Sequence, residues 1–219
     1  MPVAFIDLAQ TCAPIIATET LAGVVSLESQ FEPYAIRIDR GPSLIEQPKS
    51  RAEAIEIATS LAAEGQDIQM GLGGIGMEEL RKLSLSITDA FDPCLNLQAI
   101  STLLDGYYRL ALAAGADGKQ AAQVMLQSWY GRADPSVGEM VKYDEQIREE
   151  IERLGPILAT LTIKEGGQGR EAEAKTPEAA PPEGAESGDA PSAPSWDVFK
   201  SRRQSSVLVF QNNRMEQSE

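Results

Sequence analysis

Glu28 is the residue best placed to do chemistry, because it is an acid where a helix should be apolar. Leu21, Val24 and Val25 recur at the i, i+3, i+4 spacing of one helical face. The next position of that face, at i+7, is Glu28. Desolvating a carboxylate there is costly unless it has a partner or a purpose. We predict that Glu28 lies at the edge of a buried face beside a groove; the alternative is that it lies off the apolar stripe and points into water.

The helix that carries Glu28 has a predicted beginning and end. Thr18 is the expected N-cap, and Glu19 is favourable in the first turn. Pro33 prevents the helix from continuing. Glu28 is therefore expected in its last turn.

Composition leaves carboxylates as the proton-transfer groups. The chain has no histidine, which excludes Ser-His-Asp and Cys-His catalysis and most zinc sites. We expect neither a metal nor a cofactor. The formal charge of −14, of which −11 falls in residues 1–163, argues against nucleic acid as a partner. No apolar run approaches the roughly 18 residues that span a bilayer, so no membrane span is predicted.

Residues 1–163 are predicted to form one mainly helical domain. The alternation in Ala35–Asp39 favours a short strand or hairpin, with little room for a larger sheet. The predicted helices after it are one from a capping box at Ser50–Glu53 to Gly65, then Met77–Leu85, Asn96–Ala114, Asp117–Tyr130, and one from a second capping box at Ser136–Glu139 through Leu154.

The composition changes abruptly after residue 163. Residues 164–195 are mainly Glu, Ala, Gly, Pro and Ser, which predicts a disordered linker. Residues 196–219 form a tail with two apolar stretches, Trp196–Lys200 and Val207–Phe210. These stretches favour a docking motif for a partner protein, and the alternative is an unstructured tail with incidental apolar residues.

A glycine-rich loop, Gly71-Leu72-Gly73-Gly74-Ile75-Gly76, satisfies the dinucleotide pattern GxGxxG literally. That fingerprint needs a βαβ unit around it, because the pyrophosphate sits at the N-terminus of the following helix. Strands and helices do not alternate in this way here, so a nucleotide site is not predicted. A plain flexible loop remains an alternative.

Three motifs resemble those of the soluble lytic transglycosylases, which are lysozyme-like enzymes. The run Glu28–Ala35 resembles their Glu-Ser-x-Phe-x-Pro-x-Ala signature. The glycine loop resembles Gly-Leu-x-Gln-Ile-Asn, with Gly74 and Gly76 where the family has Gln and Asn. A late Tyr-Asn pair of the family corresponds to Tyr130-Gly131, so only the aromatic residue is carried over.

Two further segments narrow the resemblance to the lytic transglycosylases that accompany type IV secretion systems. They are Leu8–Pro14 and Ala90–Leu97, and the whole resemblance spans about residues 5–130. It implies a mainly α (α+β, lysozyme-like) fold and a single catalytic acid, Glu28. The enzyme would cleave the β-1,4 bond between N-acetylmuramic acid and N-acetylglucosamine in peptidoglycan, leaving a 1,6-anhydro product.

The same resemblance implies further site residues and partners. Substrate-binding residues would be Ser29, Gly71, Leu72, Gly73 and Tyr130, the last either holding the glutamate or lining the cleft. Type IV secretion channel subunits would be the protein partners. The lost Gln and Asn leave a second possibility open, a catalytically degenerate protein that binds glycan or assembles the channel.

The two cysteines are informative about the cellular compartment of the protein. Cys12 and Cys94 both lie in polar or turn contexts, which suits a disulfide; the alternative is two separate buried thiols. A disulfide implies an oxidising compartment such as the periplasm. Residues 1–9 contain no Lys or Arg and Asp7 interrupts their apolar run, so they make a poor secretory signal. Unusual export, a mature or internal start, and a cytosolic protein all stay open.

Overall fold

Nine α-helices and two small antiparallel sheets make up the described part of the chain, residues 2–39 and 41–163 of the computed structural model. The prediction of a mainly α class is confirmed. The predicted linker at 164–195 and tail at 196–219 lie outside the described residues. The helices are α1 (Phe5–Cys12), α2 (Thr18–Ser29), α3 (Arg51–Ala63), α4 (Met77–Leu83), α5 (Ile87–Ala90), α6 (Pro93–Ala113), α7 (Gly118–Tyr130), α8 (Pro135–Met140) and α9 (Tyr143–Leu154), followed by a 3₁₀ helix at Gly155–Thr160.

Both sheets are short. Strand β1 (Val3–Ala4) pairs with β5 (Thr162–Ile163), so the two ends of the described part meet. Strands β2 (Ile36–Ile38), β3 (Ile68–Met70) and β4 (Ile75–Gly76) form the second sheet in that order. The predicted strand near residue 36 is confirmed, and the second sheet carries the glycine loop in the connection between β3 and β4.

Helix α2 lies in the core, and its apolar face is buried as its spacing predicts. Leu21, Val24 and Val25 are fully buried. Gly23 allows α9 to approach closely, because a Cβ there would lie 3.1 Å from Cγ2 of Ile147. The helix begins at Thr18 with Ala17 as its N-cap, so the prediction that Thr18 caps it is wrong by one residue.

Helix α2 ends sharply just after Glu28. Gln30 and Phe31 both adopt left-handed backbone conformations, with φ of 55° and 65°. Left-handed residues commonly terminate helices, because the backbone cannot continue the i to i−4 pattern through them. The predicted position of Glu28 in the last turn is confirmed.

The single helix predicted from Ser136 through Leu154 is wrong, because the chain forms α8 and α9 instead. Lys142 is left-handed, with φ of 55°, and separates the two helices. The predicted capping box at Ser136 also gives way to Asp134, whose carboxylate accepts a hydrogen bond from the Ser136 amide at 3.0 Å. Tyr143 thereby becomes the first residue of α9.

Asn96 ties the glycine loop to α6 from inside the core. Its side-chain oxygen accepts a hydrogen bond from the Gly73 amide at 2.9 Å. Its amide nitrogen donates to the carbonyls of Met70 (3.2 Å) and Ala90 (2.8 Å). Gly71 passes so close to the end of α5 that a Cβ would lie 2.2 Å from the Ala90 carbonyl oxygen. The loop is therefore held in place, and it is not the plain flexible loop of the alternative reading.

The predicted disulfide is confirmed. Cys12 and Cys94 are bonded, with their Cα atoms 5.3 Å apart, and they join the end of α1 to the start of α6. The two residues are 82 positions apart in the sequence. Within the described residues no helix is both long and apolar enough to cross a bilayer.

Removing this disulfide should lower the stability of the protein substantially. In the loop-entropy model a closure of this length stabilises the fold by roughly 4–5 kcal/mol, by restricting the unfolded chain. We expect a Cys12→Ser, Cys94→Ser double variant to lose most of that amount in urea unfolding. Wild type in reducing agent should match the double variant, and equal midpoints for oxidised and reduced wild type would contradict the prediction.

Candidate active site

A cleft of about 590 Å³ opens between the sheet formed by β2, β3 and β4 and the corner where α7 meets α8. Residues from both sides line it, among them Glu28, Arg37, Gln69, Gly74, Tyr130 and Val137. Glu28 reaches it from the last turn of α2. The groove expected beside this acid is therefore present.

The carboxylate of Glu28 is nearly enclosed and has a partner on each oxygen. Its side chain is 5% exposed. The hydroxyl of Tyr143 donates a hydrogen bond to Oε1 at 2.7 Å. Nη2 of Arg37, on β2, donates to Oε2 at 2.7 Å. The alternative that Glu28 points into bulk water is wrong, because the side chain turns into the cleft wall.

Burial decides the protonation of Glu28. Desolvation raises the pKa of this carboxyl above its usual range, although the charge of Arg37 and the hydrogen bonds from Tyr143 and Arg37 oppose the shift. Burial and the neighbouring Glu28 hold the pKa of Tyr143 well above its usual value, so its hydroxyl stays protonated as a donor. Glu28 can therefore carry a proton at a higher pH than an exposed glutamate.

Arg37 links Glu28 to a polar network across the cleft. It also donates to the side-chain oxygen of Gln69, and Gln69 donates to Asp39 at 3.2 Å. Arg132, just after α7, bonds Asp39 at 2.5 Å and Asp67 at 2.9 Å. The two arginines of this network are thus engaged by carboxylates of the same cleft.

Tyr130 lies on the cleft wall, where its side chain is partly open to solvent. It is 41% exposed, and its ring packs against that of Tyr143 with the centroids 5.1 Å apart. The phenol that holds Glu28 belongs to Tyr143, which sequence reasoning missed. Tyr143 is 115 residues away from Glu28, and no local pattern marked it. The role of Arg37 is likewise not marked in the sequence, although the alternation around it predicts the strand that carries it.

The other residues predicted to bind substrate lie behind the cleft. Leu72 is fully buried, and Gly71 and Gly73 pack against α6 and the end of α5. The hydroxyl of Ser29 donates within its own helix to the Val25 carbonyl at 3.1 Å. None of these four residues lines the cleft, and their role in substrate binding stays a prediction.

Gly74 lines the cleft where the resembling family has a glutamine. A Cβ at Gly74 would lie 2.9 Å from Oε2 of Glu28 and 3.2 Å from the side-chain oxygen of Gln69. Its φ of +67° also favours glycine. The carboxyl group of Glu28 and the side-chain amide of Gln69, on β3, therefore occupy the space that a side chain at Gly74 would need.

Gly76 lines the cleft where that family has an asparagine. A Cβ there would lie 2.6 Å from Oε2 of Glu79 and 3.5 Å from the guanidinium carbon of Arg132. Gly131 is required by the turn after α7, since a Cβ there would lie 1.8 Å from the Asp134 carbonyl oxygen. Each departure from the family pattern thus coincides with a space that other atoms occupy.

The arrangement is suited to proton transfer by one carboxyl group. Among the residues that the structure places, no group of three or more acids or cysteines is arranged to hold a metal ion. Glu28 can donate a proton to a group in the cleft, and Arg37 and Tyr143 can stabilise the carboxylate that results.

The chain is similar in sequence to proteins named virB1. The type IV secretion system protein virB1 of Brucella abortus is 41% identical over 120 residues, which are 55% of this chain and 50% of that protein. The protein of that name from Brucella suis matches to the same extent. Protein virB1 of Agrobacterium fabrum is 28% identical over 155 residues, 70% of this chain and 62% of that protein. The chain spans about half the length of the Brucella relatives. No family model and no solved structure matches it.

Replacing Arg37 should raise the pKa of Glu28 further. Arg37→Met removes a positive charge and a hydrogen bond that favour the carboxylate, while burial continues to favour the neutral acid. The pKa is to be followed by the ¹³C resonance of the Glu28 carboxyl group during a pH titration. Arg109→Met is the matched control, because Arg109 is exposed and pairs with Asp105 on α6. A lowered or unchanged pKa in Arg37→Met would contradict this account of the site.

Proposed function

Since the chain is a homologue of the VirB1 proteins of type IV secretion systems, we propose that it is a peptidoglycan lytic transglycosylase with Glu28 as its catalytic acid. One observation carries the chemistry, the nearly enclosed Glu28 carboxyl whose pKa is raised while it faces a cleft. The resemblance of the Glu28–Ala35 run and of the glycine loop to transglycosylase motifs supports the choice of substrate.

The reaction begins with the proton on Glu28. Protonated Glu28 donates it to the glycosidic oxygen as the β-1,4 bond between N-acetylmuramic acid and N-acetylglucosamine breaks. The carboxylate formed in this step is stabilised by the hydrogen bonds from Tyr143 and Arg37, which lie 2.7 Å from its oxygens. Burial favours the protonated acid, and the two hydrogen-bond donors stabilise its conjugate base.

Glu28 then acts as the base. The 6-hydroxyl of the muramic acid residue attacks C1 and loses its proton to Glu28, which gives a 1,6-anhydro ring and restores the acid. No water enters the bond that forms. Many glycosidases use a second carboxylate as nucleophile or base, and this scheme does not need one. The 6-hydroxyl of the muramic acid residue acts as the nucleophile instead.

The walls of the cleft suit a sugar chain. Tyr130 offers a partly exposed aromatic ring beside Glu28, and aromatic faces pack well on the apolar faces of sugars. Gln69 and Arg132 place polar groups beside Gly74 and Gly76, where the resembling family has polar side chains. These groups support a functional cleft over the catalytically degenerate alternative.

The disulfide supports a location in an oxidising compartment, for which we propose the periplasm. Peptidoglycan lies in that compartment of the cell envelope. Cleavage there would open the wall locally for assembly of a secretion or conjugation channel. The channel subunits are the proposed protein partners.

Replacing Glu28 should abolish cleavage with little change in shape. Glu28→Gln keeps the size of the side chain but cannot deliver the proton, so we expect release of anhydro-muropeptides from purified peptidoglycan to fall by about 10²-fold or more. Mass spectrometry of the products measures it, and Glu32→Gln, at an exposed acid, is the control. No release by wild type, or equal release by Glu28→Gln, would favour the degenerate glycan-binding or assembly protein.

The tail at 196–219 is proposed to dock to channel subunits. We expect the full chain to recover more of these subunits in a pull-down than a chain ending at residue 163. A full chain carrying Trp196→Ala and Phe199→Ala should behave like the shortened one if the apolar stretch is the contact. Equal recovery by all three proteins would rule out docking through the tail.

A further inference from the structure

A second acid, Glu79, lies in the cleft without a protein partner. It belongs to α4 and lines the same cleft as Glu28. The residue is 5% exposed. Both of its carboxyl oxygens are buried, and neither has a hydrogen-bond partner among the described residues. A buried polar group normally has such a partner, so its absence here needs an explanation.

The basic groups around Glu79 are engaged elsewhere. The guanidinium of Arg132 lies beside the same Gly76 position but is bonded to Asp39 and Asp67. Lys82, on the same helix, pairs with Glu78 at 3.0 Å. The fold therefore brings positive charge near Glu79 without giving it a hydrogen bond.

Gly76 makes the position of Glu79 possible. A Cβ at Gly76 would lie 2.6 Å from Oε2 of Glu79, which is closer than such atoms approach. The φ of Gly76 is −85°, a value that any residue adopts, so its backbone conformation alone does not require glycine. The absent side chain leaves room for the Glu79 carboxyl group against the end of β4.

We propose that Glu79 is a second glycan-binding residue of the cleft, which accepts a hydrogen bond from a hydroxyl or acetamido N–H of the bound sugar chain. This proposal rests on the proposed function. A carboxylate only accepts hydrogen bonds, and the sugar chain brings the donors that the protein does not supply. Glu28 acts on the bond that breaks, and Glu79 positions the chain.

The test compares sugar binding with cleavage in the full-length protein. Titration calorimetry with a peptide-free N-acetylglucosamine hexasaccharide gives Kd, and release of anhydro-muropeptides gives kcat and KM. We expect Glu79→Gln to raise Kd and KM about tenfold, since a hydrogen bond to a charged group is worth roughly that factor, and to leave kcat nearly unchanged. Glu78→Gln, at an exposed neighbour on the same helix, is the matched control and should behave as wild type.

A second variant keeps the test independent of the first. Gly76→Ala retains Glu79 but pushes its carboxyl group from its place, so it should raise Kd as well.

Glu28→Gln should abolish cleavage and leave Kd for the hexasaccharide nearly unchanged. Glu79→Gln should also unfold at a temperature no lower than wild type, because it removes an acid without a partner; a purely structural Glu79 would lower that temperature.

The outcomes separate this proposal from the proposed function. If wild type binds and cleaves while Glu79→Gln and Gly76→Ala bind as tightly as Glu78→Gln, the role of Glu79 is refuted alone. A fall in kcat with unchanged Kd would place Glu79 in the chemistry and overturn a binding role. If Glu79→Gln weakened the binding of peptide-bearing fragments only, the hydrogen-bond donor to Glu79 would be a peptide amine and not a group of the sugar. A wild type that neither binds nor cleaves glycan would remove both proposals.

Discussion

The contact of Glu28 with Tyr143 and Arg37 is the interaction on which the site depends. Burial favours the neutral acid, and the two donors favour the carboxylate. A group held between these opposing effects can give up a proton and take it back without a large change in its surroundings. The three side chains come from α2, β2 and α9, so the balance exists only in the assembled fold.

Several features far from the cleft hold those three elements together. Gly23 lets α9 pack closely on α2, and the left-handed Lys142 starts α9 at Tyr143. Asn96, on α6, makes three hydrogen bonds, which join α6 to the loop between β3 and β4, to the end of β3 and to α5. The disulfide joins α6 to α1. The position of the acid is thus set by packing that reaches through the whole described part of the chain.

The glycines of the cleft show how one fold can rearrange its polar groups. Gly74 and Gly76 lack the side chains that the resembling family carries there, yet the space at each is used by atoms from elsewhere. Glu28 and Gln69 lie beside the first, and Glu79 and Arg132 lie beside the second. A missing polar side chain is therefore poor grounds for calling such a site degenerate.

Features that depend on neighbouring residues can be predicted from the sequence. The spacing of Leu21, Val24 and Val25 placed Glu28 at the end of a buried face, and the sequence also predicted most of the helices. It did not predict the break at Lys142, since the periodicity of the surrounding residues continues through it and the Asp134 cap supersedes the one expected at Ser136.

Which groups meet in the cleft depends on contacts between distant parts of the chain. Tyr143 lies 115 residues from Glu28, and Arg132 lies 93 residues from Asp39. In the sequence, nothing distinguishes Glu79 from Glu78, the other acid in the first turn of α4. Periodicity reports which face of an element is buried, but the partners of a buried polar group are set by how distant elements pack, and no local pattern records that.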